Sequence, residues 1–132
     1  DYCGGRKGGE QGMMWADIFR HLKDHGFEVY PLGKHKGECR SPYLVLRDNG
    51  IMRNRSIEAA EYEVLLYYPE DRYSEFAEYI GSVKLVMNLL FPALRLVEDE
   101  QPHYQDTEVK AYTTGLIYRN SRISKVNRIM KG

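Results

Sequence analysis

Four side chains of the kinds that bind metal ions or act as nucleophiles lie in the first third of the chain: His21, His25, His35 and Cys39. His21 and His25 are four residues apart on a predicted helix, a spacing that places two imidazole groups on one face, where they could bind zinc. His35 and Cys39 would complete a set of four ligands. A structural zinc site usually has closely spaced ligands in both halves, and only one half has that form here. We therefore favour ordinary polar positions for all four residues.

The same residues offer a second chemistry, because Cys39 and His35 could act as a nucleophile and its base. No recognisable group would orient the histidine or bind an oxyanion. The carboxylates are scattered or sit in loops, so no acid–base pair is apparent. Gly33 and Gly37 do not form a phosphate-binding pattern after a strand. The sequence therefore predicts a protein that is not an enzyme, with no catalytic residues and no cofactor.

The composition is that of an ordinary globular protein of one domain. Its 132 residues are 42% hydrophobic and 29% charged, which is enough for one buried core. The 19 basic and 19 acidic residues give a formal net charge of zero, so there is no overall attraction to nucleic acid or to a membrane. Two cysteines do not make a disulfide framework. With no apolar run near the roughly 18 residues of a membrane span and no secretory signal, we expect a protein made in a reducing cytoplasm.

The chain divides into three segments by composition. Residues 1–12 contain five glycines and are expected to be a flexible arm or a start-site artefact. Residues 13–119 have the patterns of a single domain. Residues 120–132 form a basic C-terminal arm.

Hydrophobic periodicity predicts two helices and five strands. The first helix runs from Met14 to His25 and ends at Gly26. The second is about 18 residues long, and its apolar stripe consists of Tyr73, Phe76, Ile80, Val83, Met87 and Leu90. The predicted strands span residues 27–30, 43–47, 62–68, 95–97 and 109–119.

The segments between these elements carry clear signals of their own. Asp48-Asn49-Gly50 is a strong turn signal, and residues 51–60 are expected to be a hairpin tip or an irregular loop. Residues 98–108 read as an acidic loop. The resulting order, α-β-β-β-α-β-β, favours an α+β fold with a single mostly antiparallel β-sheet and two helices packed on one face.

The charges of the C-terminal arm recur at every third residue, with apolar side chains between them. One interpretation is an arm that contacts an acidic protein surface or the DNA backbone, and the other is a solvated, frayed tail. A natural protein partner is the acidic loop of a neighbouring copy. The basic residues are Arg119, Arg122, Lys125, Arg128 and Lys131, and the acidic candidates are Glu98, Asp99 and Glu100.

Four blocks of the sequence resemble the tail terminator (neck) proteins of tailed phages and prophages, especially those of Gram-positive hosts. The blocks are HLKDHGFEVYPLG at 21–33, HKGECRSPYLVLRDNG at 35–50, YEVLLYYPEDRYSEFAEYIGSVKLVM at 62–87 and KAYTTGLIYR at 110–119. Together they cover most of residues 14–119. The second block is the most specific, and the others gain weight from their order.

The resemblance implies a virion structural protein that works by assembly. Such proteins form a ring, usually of six copies, that caps the tail tube, stops its polymerisation and joins the tail to the head connector. A contractile tail adds contact with the sheath, and DNA passes through the lumen without sequence-specific binding. The implied location is the neck of the virion, assembled in the cytoplasm of the host bacterium. Two alternatives stay open: a head-completion or stopper protein of the same neck, and a small nucleic-acid-binding module that uses the basic arm.

Two long loops are the expected axial contacts of such a ring, because long loops in a small domain usually serve function. They are residues 31–42 and residues 51–60. The charged and polar candidates in them are His35, Lys36, Glu38, Arg40, Arg53 and Arg55. Residues 43–47, which follow the first loop, are expected to be core.

Overall fold

The computed structural model describes residues 13–54 and 57–123. The predictions for residues 1–12, for Arg55 and for residues 124–132, including Lys125, Arg128 and Lys131, lie outside this range. The elements are α1 (Trp15–Asp24), β1 (Val29–Pro31), β2 (Tyr43–Asn54), β3 (Ile57–Pro69), a 3-10 helix (Glu70–Glu75), α2 (Phe76–Asn88), β4 (Arg95–Glu98), β5 (Tyr104–Asp106) and β6 (Ala111–Ile123).

All strands belong to one mixed sheet in the order β1-β2-β3-β6-β4, with β5 also paired to β6. Only β1 and β2 are parallel. β4 and β5 pair with successive parts of β6, so they lie end to end along the same edge. The predicted α+β fold is confirmed. The predicted strand count was wrong by one, because the segment expected to be an acidic loop contains β5.

Both helices pack on one face of the sheet, as predicted. In α1, Ile18 and Leu22 are four residues apart and fully buried, which is the spacing of one helix face. The helix ends before Gly26, whose φ of 91° suits a residue without a side chain. The sheet residues below the helices alternate along their strands. The main ones are Leu44, Leu46, Val64, Leu66, Leu116 and Tyr118.

Helix α2 buries most of its predicted stripe but is shorter than predicted. Its 13 residues begin at Phe76, because the six residues before it form a 3-10 helix, which is kinked at Arg72. Tyr73 is therefore outside α2 and exposed. The buried stripe residues are Phe76, Ile80, Val83 and Met87.

The predicted turn at Asp48-Asn49-Gly50 is a β-bulge inside β2. Asp48 pairs with Tyr62 and Ile51 pairs with Ala60, so two residues of β2 lie opposite the single residue Glu61. Gly50 takes a φ of 92°, and its N–H donates to the Asp48 carboxylate at 2.9 Å. The residues typical of a hairpin turn are those that a bulge with a left-handed glycine also needs. As a result the strand continues to Asn54.

Replacing Gly81 with alanine is expected to raise the free energy of unfolding by about 0.5–1 kcal/mol, because glycine is a poor residue inside a helix. The position is exposed and an added Cβ meets no atom within 4 Å. Chemical denaturation measures the change. The matched control is Gly26→Ala, which is expected to lower stability because its φ of 91° is unfavourable for alanine. Equal effects of both substitutions would contradict this account.

Candidate assembly surfaces

The four possible metal ligands do not come together. His21 Nε2 lies 2.8 Å from the Val86 carbonyl oxygen, and His25 Nδ1 lies 2.9 Å from the carbonyl oxygen of His21. His35 instead stacks on Tyr43, on the opposite face of the sheet, with ring centroids 3.7 Å apart. Within residues 13–54 and 57–123 no three His, Cys, Asp or Glu side chains are close enough to hold a metal ion. The zinc arrangement considered from the sequence is therefore not formed by these residues.

Cys39 is buried in a small cluster on the face of the sheet opposite the helices. Its thiol donates to the carbonyl oxygen of Ser41, with sulfur and oxygen 3.4 Å apart. Burial is the main cause that raises the pKa of the Cys39 thiol to about 11, whereas an activated nucleophile needs a lowered pKa. In the described part of the chain, Nδ1 of His35 has no hydrogen-bond partner. The geometry does not support the nucleophile–base pair.

The buried thiol predicts a defined pH dependence. Because the pKa is higher in the folded chain than the roughly 8.5 of an unfolded chain, the folded state holds the proton more tightly. This contribution to stability is complete below about pH 8.5 and is lost as the pH rises towards 11. Urea unfolding midpoints at several pH values should fall across this window. The fall should be smaller for Cys39→Ala than for the parent chain, and equal slopes would contradict the assignment.

The loop after β1, residues 32–42, covers the face of the sheet opposite the helices, and we call it the cover loop. Contacts with neighbouring segments hold it in place and keep several candidate residues at the surface. The rings of His35, Tyr43 and Tyr67 form one continuous stack, with centroids of the two tyrosines 4.7 Å apart. The Cys39 N–H donates to the Val109 carbonyl oxygen at 2.6 Å. Further ties are the Lys110–Glu38 ion pair at 3.2 Å and the Arg72 guanidinium, which donates to the Arg40 carbonyl oxygen. Lys36, Glu38 and Arg40 are exposed. Of residues 43–47, which were expected to be core, 43–46 are buried whereas Arg47 is exposed, so the core ends one residue earlier than predicted.

The segment 51–60, expected to be a hairpin tip or a loop, contains the paired ends of β2 and β3, as the hairpin alternative predicts, and is mostly strand. Residues 51–54 of β2 pair with 57–60 of β3, and β6 runs alongside them to Ile123, beyond the predicted end at Arg119. These three strand ends form what we call the ribbon. Ion pairs join its strands: Arg53 of β2 pairs with Glu58 of β3 at 3.0 Å, and Arg119 of β6 pairs with Glu61 of β3 at 3.1 Å. The backbone of Arg122 lies in the ribbon too.

The acidic segment after β4 is held by specific contacts. Lys84 lies 2.8 Å from the Asp99 carboxylate, and this hydrogen bond, with one from the Glu100 N–H, holds the pKa of Asp99 below its usual range. Glu100 pairs with His103. The Gln101 N–H donates to the Gly115 carbonyl oxygen at 3.1 Å. Glu98, the remaining acidic candidate, is exposed at the end of β4, directly before this segment.

An apolar groove lies between the C-terminal end of α2 and β4. Its volume is about 400 Å³. Leu85 and Phe91 line it and are 72% and 60% exposed, and nearby Leu89 is 64% exposed. Exposed apolar side chains grouped in this way are typical of an interaction surface. The groove is lined by Gly81, Lys84, Leu85, Met87, Asn88, Phe91, Leu94, Leu96 and Tyr118, and we call it the α2–β4 groove.

The sequence reasoning missed the α2–β4 groove entirely. The prediction for α2 used only the stripe that is buried, and it assigned no role to apolar residues outside that stripe. Leu85 and Leu89 are such residues, four apart on a second face. A second apolar face on a helix whose first face is already buried is the signal that would have found it.

A second apolar depression extends toward the other edge of the sheet. It has a volume of about 390 Å³ and is bounded by the start of α1, by β2 around its bulge and by Ala60 and Tyr62 of β3. Met14 and Ile51 are both more than half exposed there. Tyr62 pairs with Tyr118, which lines the groove, so the two depressions approach each other at this pair and extend toward opposite edges of the sheet. We call this one the α1–β2 pocket, lined by Met13, Met14, Trp15, Ala16, Asp48, Ile51, Ala60 and Tyr62.

The backbone edges next to these two surfaces are also open to a partner. β1 pairs only with residues 44–46 of β2, so in the described structure the outer edge of β2 from Arg47 onward has no paired strand. β4 is the last strand in the sheet order on the other side. Unpaired strand edges accept a strand from another chain. Each edge therefore combines backbone groups with apolar side chains.

Comparison with known proteins adds no relative to this picture. No helix in the described part of the chain is long and apolar enough to span a membrane. No protein-family model matches the sequence, and a search of curated proteins finds no significant match.

Proposed function

We propose that this protein is a structural assembly protein whose copies join head to tail into a closed ring. The observation that carries the proposal is the pair of different apolar surfaces that extend toward opposite edges of one sheet, the α1–β2 pocket and the α2–β4 groove. A head-to-tail contact needs two distinct patches on each chain, whereas a two-fold dimer needs only one. Rings arise when the rotation between copies closes.

The strand edges support the same contact. A stable interface buries about 800 Å² on each partner, which is more than a single groove of this size offers. The outer edges of β2 and β4 extend each surface along the sheet. The bulge at Asn49 and Gly50 bends the β2 edge, and bulged edges discourage indiscriminate strand pairing. The contact is thereby suited to one partner rather than to open aggregation.

We further propose that the ring is the tail terminator of a tailed phage or prophage, as the resemblance in residues 21–119 implies. In this role it caps the tail tube, joins it to the head connector and, in a contractile tail, meets the sheath, while DNA passes through the lumen. The exposed Lys36, Glu38 and Arg40 of the cover loop are suited to one axial contact. The ribbon, with Arg53, is suited to the other. The formal net charge of zero fits contact with proteins better than binding of nucleic acid.

Electron microscopy of the purified protein tests this proposal, alone and mixed with tubes polymerised from the tail tube protein of the same phage or prophage genome. We expect rings of uniform diameter seated at tube ends, and tubes that stop elongating when the protein is added. Light scattering gives the number of copies in each ring. A protein that stays monomeric and leaves tube growth unchanged would refute the terminator role. Rings that bind the connector but ignore tubes would assign the stopper role instead.

A further inference from the structure

The α2–β4 groove needs a protruding occupant, because both apolar surfaces described above are concave. The α1–β2 pocket of a neighbouring copy can lie beside the groove but cannot fill it. The side chains of Leu85, Leu89 and Phe91 would then stay exposed to solvent in the assembled ring. Burying an aliphatic or aromatic side chain of this size is worth about 1.5–3 kcal/mol, so a ring that leaves all three exposed gives up a substantial apolar contact.

The chain itself carries a segment with the required chemistry. In residues 124–132, Val126, Ile129 and Met130 are spaced by three and then one, so they recur at i, i+3 and i+4. That spacing is typical of the apolar face of an amphipathic segment that binds a groove. Lys125 precedes them, Arg128 lies between Val126 and Ile129, and Lys131 follows. The segment thus combines three apolar anchors with three positive charges.

Acidic side chains lie at the β4 side of the groove. Lys84 lines the groove and its amine is 2.8 Å from the Asp99 carboxylate. Glu98 lies two residues after Leu96, another lining residue, and Glu100 pairs with His103. Asp99 is therefore paired with Lys84, and Glu98 is exposed at the edge. Opposite charges around an apolar centre set orientation and partner choice.

We propose that residues 124–132 of one copy bind the α2–β4 groove of the next copy, so that each chain latches its neighbour. The proposal rests on the ring proposed above. The path of β6 favours a neighbour over the chain's own groove. Tyr118 lines the groove, and β6 continues away from it to Ile123, a distance of roughly 17 Å at strand rise. To reach its own groove, the segment would have to reverse at once and cover that distance again.

Cross-linking between two full-length variants tests the latch. Cys3→Ser removes one native thiol in both, and Cys39 can stay because it is buried. One variant carries Leu89→Cys and the other Met130→Cys, and the two are mixed and oxidised mildly. We expect a disulfide-linked heterodimer as the main product, at least about tenfold above background, because a bound segment holds the thiols at a high effective concentration. The matched control replaces Leu89→Cys with Lys34→Cys, an exposed position in the cover loop on the other face.

The outcomes separate the latch from the ring. Light scattering on the same samples reports whether rings form. Rings with a cross-link yield no higher than the Lys34→Cys control would overturn the latch and leave the ring proposal standing. A chain carrying both Leu89→Cys and Met130→Cys that closes on itself at high dilution would also overturn it, since the segment would then bind its own groove. Monomers without any cross-link would refute the ring and the latch together.

Discussion

Replacing Phe76 with alanine is expected to lower the free energy of unfolding by about 3–5 kcal/mol, a large part of the stability of a domain this size. Phe76 is the first residue of α2 and is fully buried. Its ring lies 5.8 Å from that of Tyr68 in β3 and 4.9 Å from that of His103, between centroids. The side chain therefore joins the helix, the sheet and the segment before β5, and its loss leaves a cavity bounded by all three.

The measurement is urea denaturation followed by far-ultraviolet circular dichroism and by tyrosine fluorescence. Phe91→Ala is the matched control, because it removes the same side chain from a position that is 60% exposed. That variant should change stability by less than about 1 kcal/mol. If the two variants lose similar stability, Phe76 is not the anchor of α2.

Replacing both Leu85 and Leu89 with glutamate is expected to abolish ring formation while leaving the fold intact. Both side chains are mostly exposed in the free chain, at 72% and 64%, so their replacement costs little folding energy. In the proposed ring, residues 124–132 of the neighbouring copy bury them. Losing two leucine contacts of about 1.5–3 kcal/mol each weakens association by at least about a hundredfold. Added negative charge beside Asp99 cannot compensate, because the lost contacts are apolar.

Sedimentation velocity at several protein concentrations measures this effect, with circular dichroism to verify the fold. The control is Ser82→Glu, which adds one of the two negative charges at an exposed position of α2 outside the groove lining. It should leave assembly unchanged. Rings that persist in the double variant would show that self-association uses another surface.

The periodic parts of this fold could be predicted because burial repeats at the period of each element. The spacing of Ile18 and Leu22 gave α1, and the alternation in residues 62–68 gave β3. The apolar run at residues 43–46 lies in a strand and is buried, as expected of core, although Arg47 at the end of the predicted span is exposed. What failed were the positions where one sequence signal serves two structures. Asn49 and Gly50 suit a hairpin turn and a bulge equally well, and only pairing with β3 decides between them.

The short strands and the interaction surfaces were harder for a related reason. β5 has three residues, two of them exposed, so it buries too little to leave a pattern, and its strand state depends on the neighbouring β6. Charged candidates were found by type, yet Glu38, Arg53 and Arg119 already have ion-pair partners within the chain. The α2–β4 groove depends on how α2 and β4 meet, which no local spacing encodes. The differences between the predicted and the observed fold arise from contacts between distant segments, which the local propensity of each residue does not determine.

The position of β6 has a consequence for how the protein is made. β6 is the latest strand in the described chain, yet it lies in the interior of the sheet between β3 and β4. During synthesis β3 therefore waits more than forty residues of translation with one edge open, a state in which nascent chains are vulnerable to aggregation. Because β4 pairs with β6, the β4 edge of the sheet also forms only after β6 has emerged from the ribosome. In the proposed ring, assembly would thus be restricted to chains that have completed β6, because a copy truncated before β6 lacks the strand with which β4 pairs.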